Sequence, residues 1–229
     1  MTEVPANLEE VRARIHRACE ACGRSVEEVT LVAVSKKKGA ELIREAFDAG
    51  QLIFGENRVQ EVMAKQPELP SSLQWHLIGH LQSNKVKHAV HCEFDCIHSV
   101  DSAKLLRKLN EESDQQGRVQ TVFLQVNVSG EGSKFGLAPD EMALLLEQAT
   151  GFHSLNIQGL MTIPPFTEDP EKAAPHFARL RELRDELRGS TGFDLPELSM
   201  GMSHDLEVAI REGATLVRVG TDIFCARTL

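Results

Sequence analysis

Tyrosine is absent from the 229 residues and tryptophan occurs once. The first absence excludes any mechanism that needs a tyrosine acid or base. Also missing is an apolar run near the roughly 18 residues of a membrane span. The opening residues, MTEVPANLEE, lack the basic and apolar regions of a signal peptide. A cytoplasmic protein with no membrane partner is expected. Basic charge is scarce as well: 25 Lys and Arg against 34 Asp and Glu leave a net charge of −9. No stretch gathers cations as a phosphate-backbone groove would, so nucleic acid is not expected as a partner. Five cysteines, an odd number in a mid-sized chain, fit reduced thiols better than a disulfide framework.

What is present is ordinary globular composition, 41% hydrophobic and 26% charged, in a chain sized for one domain over residues 1–229. From Thr30 onward short β-rich runs alternate with helical patterns. The strand candidates are Leu31 to Lys36, Leu52 to Phe54, Gln74 to Ile78, Phe94 to His98, Thr121 to Val128, Asn156 to Ile163, Glu197 to Met200 and Thr215 to Val219. Helices follow each, with Asp101 a candidate N-cap for one and Asp169-Pro170 opening the longest. Eight such repeats predict an α/β fold, a single (β/α)₈ TIM barrel, with an extra N-terminal helix capped at Asn7 and packed on the outside or across the bottom. The competing open sheet would carry a glycine-rich phosphate loop after its first strand, whereas this turn reads Ser35-Lys36-Lys37-Lys38-Gly39.

In such a barrel the chemistry sits at the C-terminal ends of the strands. Polar residues there include Lys36, Asn57, His80, Lys134, Ser203, Arg218 and Thr221. Two turns, Gly201-Met202-Ser203 after strand seven and Gly220-Thr221-Asp222 after strand eight, each lead into a helix. Glycine lets backbone N–H groups approach a ligand and a helix start favours an anion, so these two loops together suggest a phosphate site, with Ser203 also a candidate N-cap. Period-two alternation puts Val32, Val34 and Lys36 on one face, which makes Lys36 the best of three lysines for a Schiff base with a phosphorylated aldehyde. Lys37 should point outward, and three adjacent lysines also fit a solvated turn. Arg218 shares a face with Leu216 and Gly220. If that face is the interior, its guanidinium needs an acceptor, either a neighbouring carboxylate or a pyridine nitrogen that arginine would leave unprotonated.

The segments VAVSK (Val32–Lys36), FGEN and VQE (Phe54–Glu61), WHLIGHLQSNK (Trp75–Lys85), GLMTI (Gly159–Ile163), LSMGMSHD (Leu198–Asp205) and VRVGTDIF (Val217–Phe224) resemble the YggS/PROSC family of pyridoxal phosphate homeostasis proteins. The likeness runs in order over nearly the whole chain. It implies an alanine racemase N-terminal domain-like barrel that binds pyridoxal 5'-phosphate (PLP), with Lys36 forming the internal aldimine. Ser203, Gly220, Thr221 and the Met202 backbone would hold the phosphate, Arg218 would face the ring nitrogen, and Asn57 and His80 would lie near the ring. Lys134 matches a family lysine and is a secondary contact or transfer candidate. Lys37-Lys38-Gly39 replaces the family's Thr-Lys-Pro, Cys225 stands where glycine is usual, and His204 occupies a variable position.

Two cysteine constellations compete for attention. Cys19-Glu-Ala-Cys22 lies on an apolar helical stripe and reads as core. His88, His91, Cys92, Cys96 and His98 could bind a transition metal, yet helix-to-sheet packing accounts for them as well, and no metal is expected. The expected function is a monomeric, non-catalytic PLP carrier serving apo PLP-dependent enzymes. The alternatives are a PLP-dependent amino-acid racemase or related enzyme and, more remotely, a metal hydrolase.

Overall fold

Eight parallel strands close into a barrel in chain order. In the computed structural model, which describes residues 3–132 and 135–225, they are β1 Thr30–Val34, β2 Ile53–Glu56, β3 Gln74–Leu77, β4 Cys96–Val100, β5 Gln120–Gln125, β6 Leu155–Met161, β7 Glu197–Met202 and β8 Leu216–Val219. Thr30 to Ala33 of β1 pair with Leu216 to Val219 of β8, so the ring has no unpaired edge. The helices are α1 Val4–Cys22, α2 Ala40–Asp48, α3 Val59–Lys65, α4 Val86–His91, α5 Ala103–Gln115, α6 Met142–Ala149, α7 Ala174–Thr191, α8 Leu206–Arg211 and α9 Thr221–Phe224. No helix is long and apolar enough to cross a membrane among the described residues.

Alternation along the strands makes two apolar layers. Outward residues such as Ala33, Phe54, Ile97 and Leu124 pack with helix residues such as Ile43, Leu106, Leu146 and Leu180. Inside the ring Val32, Cys96, Phe123, Met161 and Leu216 form a smaller plug. Two residues further along their strands, His98 and Arg218 replace Cys96 and Leu216 on the same inward face, so the interior turns polar toward the C-terminal ends. Gly159 lets β6 lie against β7: a Cβ there would stand 2.0 Å from the Glu197 carbonyl oxygen.

Several local expectations shift. The first helix begins at Val4, ahead of Asn7, because Pro5 occupies its first turn. Asn7 is no cap: its Nδ2 donates to the Ile223 carbonyl at 3.1 Å and ties α1 to α9. The helix packs on the outside, against α2, α8 and α9. Strand β4 starts at Cys96 instead of Phe94, and the following cap is Ser102, whose Oγ accepts from Leu105 N, in place of Asp101. Asp169 caps as expected, though a 3₁₀ turn over Pro170–Ala173 precedes α7.

Candidate functional site

A cavity of about 500 Å³ opens at the C-terminal ends of the strands, lined among others by Lys36, Asn57, His80, Met202, Ser203, Arg218, Gly220 and Thr221. All eight residues named for cofactor binding therefore converge on one space. Lys134 lies outside the described residues. The volume is within the range of small-molecule sites.

Lys36 follows β1 on the inward face already set by Val32 and Val34, and Val34 lines the cavity too. The lysine is exposed and no hydrogen bond or ion pair engages its Nζ. The backbone that carries it is fixed from behind. Ser35 Oγ donates to Glu56 Oε1 at 2.7 Å, and Lys65 Nζ donates to the same oxygen at 2.7 Å and to the Ser35 carbonyl at 3.2 Å. Burial pushes the Glu56 carboxyl above the usual range, against the pull of Lys65 and Ser35. Lys38 is committed elsewhere: its Nζ donates to the carbonyls of Phe224 and Cys225 at the end of α9. There Cys225 takes φ +56°, the left-handed region that favours glycine.

Next to β1 in the ring, the turns after β7 and β8 meet. Thr221 Oγ1 donates to Ser203 Oγ at 3.0 Å, so the two hydroxyls form one polar surface. Ser203 is not the N-cap residue of α8; Asp205 holds that position without capping through its side chain, and its Oδ1 accepts instead from Met202 N in the preceding turn at 2.7 Å. The Ser203 hydroxyl is thereby left for the cavity. Gly201, at φ +89°, turns the chain where a Cβ would fall 2.5 Å from Ala209 Cβ. Arg14 of α1 braces both turns from outside, donating to the Ser203 carbonyl at 3.0 Å, to Glu207 Oε1 at 2.8 Å and to Asp222 Oδ2. Nothing in the local sequence around Arg14 marks it for this.

Arg218 forms the floor. It is 4% exposed, and its acceptors are Ser199 Oγ at 2.6 Å and the Thr162 carbonyl at 2.9 Å, in place of a carboxylate. Burial lowers its pKa to about 10, with Asp205 opposing the change. Ser199 also meets His98 Nδ1 at 2.8 Å, and His98 Nε2 meets His76 Nδ1 at 2.9 Å. The donors can be assigned along this chain. Arginine has no acceptor, so Ser199 Oγ accepts from it and keeps its own hydrogen for His98 Nδ1. His98 then carries hydrogen on Nε2 and donates to His76 Nδ1, which places the His76 hydrogen on Nε2 as well. The reverse direction would strand the Ser199 hydrogen. Burial holds both rings neutral, lowering His76 to about 4 and His98 well below the usual imidazole range.

Cys96 joins these histidines, with ligand-type atoms of His76, Cys96 and His98 within 4.8 Å of one another. The other members of the suspected patch do not: His88 and His91 are exposed on α4. Cys96 and His98 line the barrel interior and take no part in helix-to-sheet packing. The lone pairs facing each other are occupied by the relay, and a guanidinium stands on the same relay, which disfavours a second cation. His80, on the rim, donates Nδ1–H to Asp101 Oδ2 at 2.7 Å and stacks on Phe135 at a centroid distance of 4.2 Å.

Arg218 reaches the cavity with donors only, the two hydroxyls and Gly220 lie on one side, and an unengaged lysine stands at the mouth. That donor set fits a phosphorylated aldehyde with a ring nitrogen as acceptor.

Comparison with known proteins points the same way. Residues 6–228 match the family model described as alanine racemase, N-terminal domain. The pyridoxal phosphate homeostasis protein of Pseudomonas aeruginosa is 47% identical over 99% of this chain and 97% of its own. That of Aquifex aeolicus is 45% identical over 96% of each. The structure of PipY from Synechococcus elongatus with PLP bound superposes with a TM-score of 0.82 at 42% identity, covering 92% of this chain and 99% of that one. An alanine racemase of Clostridium difficile, at 13% identity and a TM-score of 0.78, shares the fold over 57% of its length. The chain belongs to the family of pyridoxal phosphate homeostasis proteins, built on the barrel of the alanine racemase N-terminal domain.

Proposed function

We propose that this protein holds PLP as a Schiff base on Lys36 and supplies it to apo PLP-dependent enzymes, as a monomer and without turnover of its own. The observation that carries this reading is that Lys36, whose Nζ is free of any protein partner, and the joined hydroxyls of Ser203 and Thr221 line one cavity. Ser203, Thr221, Gly220 and the Met202 backbone hold the phosphate, Arg218 donates to the ring nitrogen, and Asn57 and His80 border the ring. A donor that never gives up its proton leaves that nitrogen unprotonated and the bound cofactor a weak electron sink. Tyrosine is absent from all 229 residues, so no tyrosine can serve as the second base of a racemase. The names of the relatives and the PLP-bound neighbour support the cofactor.

The test is the absorption spectrum of the wild type beside Lys36→Ala with PLP added. An aldimine band in the first and none in the second is expected. An unchanged band in the variant moves the Schiff base to another lysine. Exchange of amino-acid α-protons in deuterated water at ordinary enzyme rates would overturn the carrier reading in favour of a racemase-like enzyme.

A further inference from the structure

A second cavity of about 480 Å³ lies beside the first, between the turn after β2 and the turn after β3. Asn57, Gly79 and His80 border both cavities, so one wall separates them. The segments FGEN, VQE and WHLIGHLQSNK supply nearly all of its lining, whereas from them the Lys36 cavity is lined only by Asn57, Ile78, Gly79 and His80. Its polar residues are Asn57, Arg58, Gln60, His80, Gln82 and Lys85, and no carboxylate lines it.

The two cations are the unusual feature. Neither the Arg58 nor the Lys85 side chain has a hydrogen bond or an ion pair, although the chain carries nine more acids than bases. Lys65, one helix away, is held by Glu56 and Glu61, and Lys38 by two carbonyls. Among the described arginines only Arg58 and Arg107 lack an acceptor, and of these Arg58 lines a cavity. An arginine fork and an ammonium converging with two glutamine amides, and with no carboxylate to neutralise them, suit a dianionic phosphate. The volume admits one small ligand of PLP size.

We infer that this cavity is a second anion site that takes a small phosphate monoester, held by Arg58 and Lys85 next to the mouth of the Lys36 site. Under the carrier reading, on which this use of the site rests, it receives phosphorylated vitamer while the Lys36 site is occupied. The shared wall of Asn57, Gly79 and His80 makes the passage between the two short.

The experiment starts from holo-protein whose PLP has been reduced onto Lys36 with borohydride, the adduct being verified by mass. Pyridoxine 5'-phosphate, which has no aldehyde, is then titrated by calorimetry, with inorganic phosphate and unphosphorylated pyridoxine in parallel. One further equivalent of pyridoxine 5'-phosphate should bind, more weakly as salt is raised, and the Arg58→Gln/Lys85→Gln variant should lose about tenfold or more in affinity with its Lys36 adduct unchanged. Phosphate alone competing equally well would make the site one for inorganic phosphate and overturn the vitamer assignment. No binding up to about 10 mM, or equal affinity in the variant, overturns the site itself. An absent Lys36 adduct overturns the carrier reading instead. The second site is then read in the apo protein, where the double variant must remove one of the binding events.

Discussion

The floor and the rim of the cavity differ in how far their polar groups are already spoken for. On the floor, Arg218, Ser199, His98 and His76 are at most 8% exposed, and each is bonded to the next. On the rim, Lys36 has no partner, and the Ser203 and Thr221 hydroxyls meet each other at 3.0 Å in the open. A buried polar group must be satisfied by the protein itself, because no water will do it. An exposed one can wait for a ligand. The floor is therefore part of the stability of the barrel and the rim part of its affinity, so substitutions should sort by layer.

The largest effect is expected from His98→Leu. It leaves the Ser199 hydrogen and His76 Nδ1 without partners, two orphaned groups at about 1–3 kcal/mol each. Urea unfolding of the apo protein should show a loss of about 4 kcal/mol, with Tm down by roughly 8–16 °C. His80→Leu on the rim should cost less, about 1–2 kcal/mol, since it leaves one group, Asp101, without its partner in place of two. Equal losses in the two would break the division.

Acid should attack the floor next. His76 is held at about 4 in the folded chain against about 6.5 when unfolded. Below pH 6.5 the unfolded chain takes up a proton that the folded chain refuses, so stability falls until pH passes below 4, by about 3 kcal/mol for this group. Above pH 6.5 it contributes no slope. Denaturation midpoints at pH 7.5, 5.5 and 4.5 should show the decline, and His76→Gln should make it shallower, leaving the part that neutral, buried His98 contributes.

How much of this division is legible in the sequence depends on the range of the contacts. The barrel is legible because each β/α unit is local, and the inward row of Val32, Val34 and Lys36 follows from period two alone. All eight of the cavity residues named for the cofactor could be picked out because they end strands or open helices, with the family resemblance choosing among them. The floor is different. Arg218 visibly needs an acceptor, but Ser199 and the Thr162 carbonyl come from two other strands. His76 and His98 meet across the β3–β4 pairing, whereas proximity along the chain groups His98 with His88 and His91, which point outward. Capping is ambiguous for the same reason: Ser203 and Asp205 both suit the role, and the turn gives the N-cap position to Asp205.

Arg14 sits between the layers, since it is outside the barrel yet fixes the rim. Arg14→Ala frees the Ser203 carbonyl and Asp222 and should weaken PLP binding about tenfold by letting the two turns separate. The loss should be specific to the phosphate: binding of unphosphorylated pyridoxal, followed by its Schiff-base absorbance, should change little. A parallel loss for both would make Arg14 a general support of α1.

The smallest and sharpest case is Thr221→Val. The substitution keeps shape and removes one hydroxyl from the pair it forms with Ser203 at 3.0 Å. Thr221 is exposed, so the apo protein loses no buried bond and its Tm should move by less than about 2 °C. The phosphate, by contrast, loses one charge-assisted donor, which is worth about 1 kcal/mol or somewhat more and weakens PLP by roughly five- to tenfold. Fluorescence titration with PLP reads the affinity and a thermal melt reads the stability on the same sample. Because Ser203 keeps its hydroxyl, pyridoxal without phosphate should bind as it does to the wild type. A fall in Tm without a fall in PLP affinity would place Thr221 with the floor and show that the border between the two layers runs above it.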